Sequence, residues 1–169
     1  MHPKAAVATA IPAAFAAGAA RAAHRFPGKK ERAMSEYFRD SEHFYEVLVP
    51  FFNSVKDHPE MGPVILGTGL VVKFEYFEPD AAITVDCPNA AVLRGETEIE
   101  PMLTMSMKAD VAHRFWLGKL NLMAALTKRE IVAKGPISAA MKLLPKIKGA
   151  FPIYKEHLQN IGMEEAIIE

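Results

Sequence analysis

The chain of 169 residues has one cysteine, Cys87, so it cannot form an internal disulfide. A lone thiol excludes a disulfide-stapled secreted scaffold and fits a reducing compartment. Formal net charge is zero, which removes the basic footprint of a nucleic-acid-binding protein. No run approaches the ~20 strongly apolar residues of a membrane span. Histidines 2, 24, 43, 58, 113 and 157 show no H-x-x-x-H spacing, and one cysteine cannot build a structural zinc centre. Also missing are a G-x-S-x-G elbow, a Walker loop and a G-x-G-x-x-G fingerprint. Neither a metal nor a cofactor is implied by such a chain.

What is present is apolar bulk. Half the residues are hydrophobic and 24% are charged, the balance of a soluble globular protein with room for one domain and a tail. Nine methionines are many for this length. Their soft side chains fill irregular cores, and they also adapt binding surfaces to several ligands. The neutral total hides an asymmetry: residues 1–33 carry Lys4, Arg21, Arg25, Lys29, Lys30 and Arg32 against Glu31 alone. Residues 119–148 hold Lys119, Lys128, Arg129, Lys134, Lys142, Lys146 and Lys148 against Glu130, while residues 36–110 are acidic. The Ala-rich, basic stretch 1–33 reads as a disordered or non-native leader, with Met34 as the working start of the domain. The alternatives are a secretory signal or an organelle-targeting segment, against a cytoplasmic default.

From Ser35 the pattern becomes that of a folded domain over 34–160, with 161–169 as a C-terminal tail. Tyr37, Phe38, Phe44, Tyr45, Leu48, Phe51, Phe52 and Val55 recur at helical spacing, with Ser35 as the expected N-cap. Pro50 should kink or split that helix. The aromatics form either an ordinary core face or a docking face for a partner. Residues 70–77 and 82–87 alternate as strands around a Glu78-Pro79-Asp80 turn. Two further strands fall at 91–94 and 102–107, and these local connections suggest an antiparallel meander. Helices are expected at 108–117 and 120–126, a strand at 130–134, a helix at 137–144 ended by Pro145, and a last helix near 154–161.

Reactive groups are sparse. Cys87 shares a strand face with Ile83 and Val85, so a buried structural thiol is favoured over a nucleophile beside Asp86. His43 and Glu46 stand one helical turn apart, which fits a solvated face better than an acid–base pair. Gly67-Thr68-Gly69 fits a turn at a strand entry rather than a phosphate loop.

The informative stretch is 105–144. It contains Met105-Ser106, then Phe115-Trp116-Leu117-Gly118-Lys119-Leu120-Asn121-Leu122-Met123-Ala124-Ala125-Leu126, then Lys134-Gly135 and Ala139-Ala140-Met141-Lys142-Leu143-Leu144. In order and spacing these segments resemble the sterol carrier protein-2 family. Thr127-Lys128-Arg129 and Pro136 depart from that pattern. The resemblance implies an α+β fold: a curved, mostly antiparallel five-stranded sheet, covered on one side by helices and enclosing an apolar tunnel. It implies a non-catalytic carrier of a lipid, fatty acid, acyl-CoA or sterol-like molecule. On the strands and helices above, the tunnel walls fall to Val72, Phe74, Tyr76, Ile83, Val85, Leu103, Met105, Phe115, Leu120, Met123, Leu126, Ile137, Met141 and Leu144. Lys119, Lys128 and Arg129 are candidates for an acidic headgroup. An anionic membrane surface and a lipid-modifying enzyme are the macromolecular partners to consider. Methionines 102, 105, 107, 123 and 141 would give soft walls, and each buried methylene of an acyl chain gains about 0.8 kcal/mol without any directional contact.

Overall fold

Alternation of apolar and polar residues along five strands generates the sheet at the centre of the computed structural model, which describes residues 34–169. The strands are β1 (Val71–Phe77), β2 (Ala81–Asp86), β3 (Ala91–Arg94), β4 (Leu103–Lys108) and β5 (Ile131–Lys134), in spatial order β3-β2-β1-β4-β5. The leader assigned to 1–33 lies outside the described residues. In the central strand, Val72, Phe74 and Tyr76 face one side. Register aligns them with Val85 and Ile83 of β2 and with Leu103, Met105 and Met107 of β4. Ala133 and Ile131 of β5 extend the same apolar face.

Every neighbouring pair is antiparallel except β1 and β4, which run parallel. The expected meander is therefore corrected at one step: β4 lies beside β1, not β3. Residues 95–102, which extend up to about 25 Å, easily cross three strand spacings of about 4.8 Å each. Crossing places Leu103, Met105 and Met107 in the buried centre instead of at an edge. The outer face is polar and receives this crossing segment: Lys73 Nζ lies 2.8 Å from Glu96 and 3.2 Å from Glu75, and Ser106 Oγ donates to Glu75 at 3.0 Å. One solvated and one apolar face is the expected state of such a sheet.

Helices collect on the apolar face. Helix α1 (Ser41–Asp57) is capped by Asp40, whose carboxylate accepts from His43 N at 2.8 Å, and not by Ser35. Ser35 instead makes a local turn, accepting from Phe38 N at 2.9 Å, and its hydroxyl bonds Asp110. A serine side chain readily competes for nearby backbone in this way. Helix α1 also runs unbroken through Pro50. Pro50 and Glu46 are both exposed, so the Glu46 carbonyl that Pro50 leaves without a helical donor lies on the solvent side of the helix. Phe44 packs on Tyr76 (ring centroids 4.5 Å) and Phe52 stacks on Phe74 (5.4 Å), which fixes the helix against the sheet.

A short helix α2 (Met61–Leu66), with Pro63 in its first turn, leads into β1. Between β4 and β5 come α3 (Ala109–Trp116) and α4 (Leu122–Thr127), the latter capped by Asn121, which accepts from Ala124 N at 2.9 Å. Gly135, at φ +114°, closes β5: a Cβ there would stand 2.5 Å from the Met102 carbonyl oxygen. Helix α5 (Ile137–Ile147) continues past Pro145 instead of ending there, and α6 (Ala150–Asn160) follows. Tyr154 of α6 meets Phe51 at 4.7 Å in the core. Residues 161–169 pack back on the domain: Met163 and Ile167 touch the core, and His113 Nε2 lies 2.7 Å from the Ala166 carbonyl. A carbonyl only accepts, so Nε2 carries the proton, and Nδ1 accepts from Tyr154 OH at 2.8 Å.

Candidate functional site

Two apolar cavities adjoin between the sheet and its helical cover. The larger, about 580 Å³ counting the open solvent at its mouth, is floored by Val72, Phe74 and Val85 and walled by Phe52, Val55, Ile65 and Leu66. The smaller, about 490 Å³ counted the same way, is bounded by Met105, Met107, Phe115, Leu122, Ile131 and Ala140. Phe74, Trp116, Leu143 and Ile147 line both. Leu143 and Ile147 belong to α5, so one helix roofs the whole apolar space.

Three polar groups reach the larger cavity: Lys56, Thr68 and Cys87. Lys56 is the one ionisable group besides the Cys87 thiol among the lining residues of these two cavities, and its Nζ pairs with Asp57 at 2.6 Å. Thr68 donates to the Ile65 carbonyl at 2.7 Å and lies 3.7 Å from Cys87 Sγ. Burial pushes the Cys87 thiol up, away from the thiolate a nucleophile requires. Asp86 is engaged by Asn89, whose Nδ2 donates at 2.8 Å, and His43 accepts from Arg39 N at 3.2 Å. No hydrogen bond joins His43, Asp86 and Cys87 to one another among the described residues. No group of three or more His, Cys, Asp or Glu side chains there has metal-binding proximity.

The expected wall residues separate into groups. Val72, Phe74, Val85, Met105 and Phe115 line the cavities. Tyr76, Ile83 and Leu103 point to the same side of the sheet but are sealed in the core beside them. Leu120, Leu126 and Leu144 are half-buried against that core, and Met141 is half-buried on α5. Met123 and Ile137 line neither cavity and are 52% and 44% exposed. Lys119, Lys128 and Arg129 are exposed and also line neither. On α5 the cavity-lining residues are Ala140, Leu143 and Ile147, while Leu144 packs on the core beside them and Ile137 and Met141 line neither cavity. That set becomes readable only when the helix is carried beyond Pro145. Trp116 lies in the 105–144 stretch and Phe52 in the aromatic helical segment, whereas Lys56 carries no signal beyond following that segment.

The aromatics of α1 turn inward: Phe44, Phe51 and Phe52 are buried, and Tyr45 lies under the Arg94 guanidinium at 4.3 Å. Tyr37 and Tyr45 are half-buried against the same core. Among the described residues, no helix is long and apolar enough to cross a membrane.

No protein-family model matches the sequence, and no curated protein sequence matches it. Solved structures do. The sterol carrier protein domain 2 of Helicoverpa armigera superposes with a TM-score of 0.55 at 14% identity, over 64% of this chain and 89% of that one. Sterol Carrier Protein 2 from Yarrowia lipolytica, in its apo form, gives 0.52 at 16% identity, over 69% and 94%. The fold is that of the sterol carrier protein 2 domains.

Proposed function

We propose that this domain binds one long apolar lipid in the joined cavities under α5 and carries it without altering it. The ligand class is a fatty-acyl or sterol-like molecule, including an acyl-CoA whose chain enters while its headgroup stays outside. The observation that carries this is the shared lining: Phe74, Trp116, Leu143 and Ile147 border both cavities, which therefore adjoin beneath α5. Burying a dozen methylenes gains roughly 10 kcal/mol. Ordering and association cost several kcal/mol of that, which leaves a usable affinity from shape alone. The polar end falls at Lys56 and Thr68, and a carboxylate placed there would exchange Asp57 for the ligand as partner of the ammonium. The raised Cys87 thiol supports carriage rather than chemistry.

The direct test is titration of delipidated protein with a fluorescent fatty acid and a fluorescent sterol, alongside native mass spectrometry of gently purified protein. Saturable one-to-one binding of at least one probe is expected. A folded protein that purifies empty and binds neither probe would refute the proposal.

A further inference from the structure

We propose that the Tyr76 hydroxyl reads the end of the lipid that enters first, and that this end carries a neutral oxygen, a hydroxyl or a ketone. This rests on the carrier role proposed above and narrows its ligand class. Tyr76 is fully buried, and its hydroxyl has no hydrogen-bond partner among the described residues. An unpaired hydroxyl in an apolar interior is costly, and a phenylalanine would fill the same space without that cost. A partner that arrives with the cargo accounts for the group.

Sheet register places this orphan at one end of the apolar space. Val72, Phe74 and Tyr76 follow one another on the inner face of β1. Val72 floors the larger cavity, Phe74 lines both, and the Tyr76 ring lies parallel to that of Phe74, 9° between planes and 6.2 Å between centroids. Across the sheet Tyr76 is level with Met107 of β4, and Met107 with Ile131 of β5. Met107 and Ile131 both border the smaller cavity. Tyr76 therefore stands one strand spacing, about 4.8 Å, beyond that lining. The residue next to it there, Met107, is unbranched and able to yield. Helix α1 marks the opposite end: Phe44 packs on Tyr76, Phe52 stacks on Phe74, and Lys56 follows one turn later. A lipid held by its headgroup at Lys56 would thus lead with its far end toward Tyr76.

The surroundings decide the chemistry of that end. Burial pushes the Tyr76 phenol well above its usual value, so it stays protonated and offers a donor. An ionised oxygen between Phe44, Phe74 and Met107 would be desolvated without a counter-charge among these neighbours, which excludes a carboxylate or phosphate. The two phenols close enough to influence Tyr76 are bonded elsewhere. Tyr45 OH accepts from Ala82 N at 3.0 Å, and Tyr154 OH donates to His113 Nδ1 at 2.8 Å. A resident water needs about two to four polar partners, and these neighbours supply few.

The test uses the full chain, delipidated, as the parent and as Tyr76→Phe. Displacement of a fluorescent fatty acid is measured with saturated acids of increasing length and with their ω-hydroxy counterparts. In the parent, at one chain length, the ω-hydroxy acid should bind as tightly as the plain acid or tighter. In Tyr76→Phe that ω-hydroxy acid should weaken about 10-fold, while the plain acid binds as before or tighter. Urea unfolding of the ligand-free proteins should put the Tyr76→Phe midpoint at or above that of the parent. A hydroxy-to-plain affinity ratio equal in the two proteins at every length overturns the assignment. So does a Tyr76→Phe midpoint below the parent's, which would mean that a water already pairs the hydroxyl in the free protein. A parent that binds plain acids and rejects every ω-hydroxy acid also overturns it, and leaves the carrier role standing. A parent that binds neither series overturns the carrier role and this assignment with it.

Discussion

Val85→Trp tests the cavity most directly. Val85 sits on β2, paired with Val72 and Val92, so its backbone is held from both sides. Its half-buried side chain forms part of the floor of the larger cavity, beneath the α5 roof. An indole placed there occupies room that would otherwise hold about three methylenes of a lipid. At about 0.8 kcal/mol each, binding weakens by roughly 2.4 kcal/mol, which is about 50-fold in Kd. Stability should move the other way. Filling empty volume recovers about 24 cal/mol per Å³, so the free protein should melt at the same urea concentration or higher. Val85→Ala is the counterpart: about 1 kcal/mol less stable, with probe binding unchanged or slightly tighter. The assay is displacement of a fluorescent fatty acid from delipidated protein, paired with urea unfolding of each variant. Weaker binding alone would not be decisive, because a misfolded variant also binds poorly. The combination of lost binding and retained stability is. A Val85→Trp protein with parental affinity and parental unfolding midpoint would refute the placement of the ligand in the larger cavity.

Three further outcomes follow from particular residues. Lys56→Met should weaken a fatty acid about 10- to 100-fold, the range of a hydrogen bond to a charged group, while a fatty alcohol binds nearly as before; equal losses for both would remove Lys56 as headgroup partner. Phe51→Ala should cost about 3–5 kcal/mol of stability, because Phe51 is fully buried against Trp116 (5.0 Å) and Tyr154 (4.7 Å); a loss under 1 kcal/mol in urea melts would contradict that packing. Burial lowers the pKa of His113 in the folded state, so the unfolded chain takes up the proton first. Stability should hold above the unfolded value near 6.5 and fall as pH drops below it toward the folded value. His113→Gln should flatten that acid-side decline in urea melts taken across it, although His43, also lowered by burial, keeps part of the slope.

Strand positions were legible because their period is enforced by burial. Val72, Phe74 and Tyr76 could only be a face, and a register slip would have sent all three to solvent. Sheet order was not legible, since nothing in residues 95–102 says how far a polar crossing travels before β4 pairs. The same limit applies at the ends of helices. Ser35 and Asp40 are both able caps, and the choice between them was made by Asp110, 75 residues away from Ser35 in sequence. Pro145 and Pro50 look alike as breakers, yet both helices continue through them. For the site, the floor was readable from the strands, whereas the roof depended on where α5 ends. Stopping at Leu144 rotates the apparent apolar stripe and hides Ile147.

That difference bears on how the site would accommodate different lipids. Soft methionine walls were one way to tolerate several shapes, but of the five methionines expected in that role only Met105 and Met107 line a cavity. Met102 and Met123 are more than half exposed. The fixed walls are instead aromatic and branched: Phe52, Phe74, Val85, Phe115 and Trp116, several of them locked in ring–ring contacts such as Phe52–Trp116 at 5.5 Å and Phe115–Trp116 at 5.0 Å. Rings packed in this way adapt poorly, because each displaced contact must be remade elsewhere. The adjustable boundary is then α5, with one buried residue, no side-chain cap and a proline in its last turn. Variation in ligand length would be absorbed by small shifts of that roof rather than by the floor, and substitutions at Leu143 or Ile147 should alter chain-length preference more than equal changes of volume at Phe74.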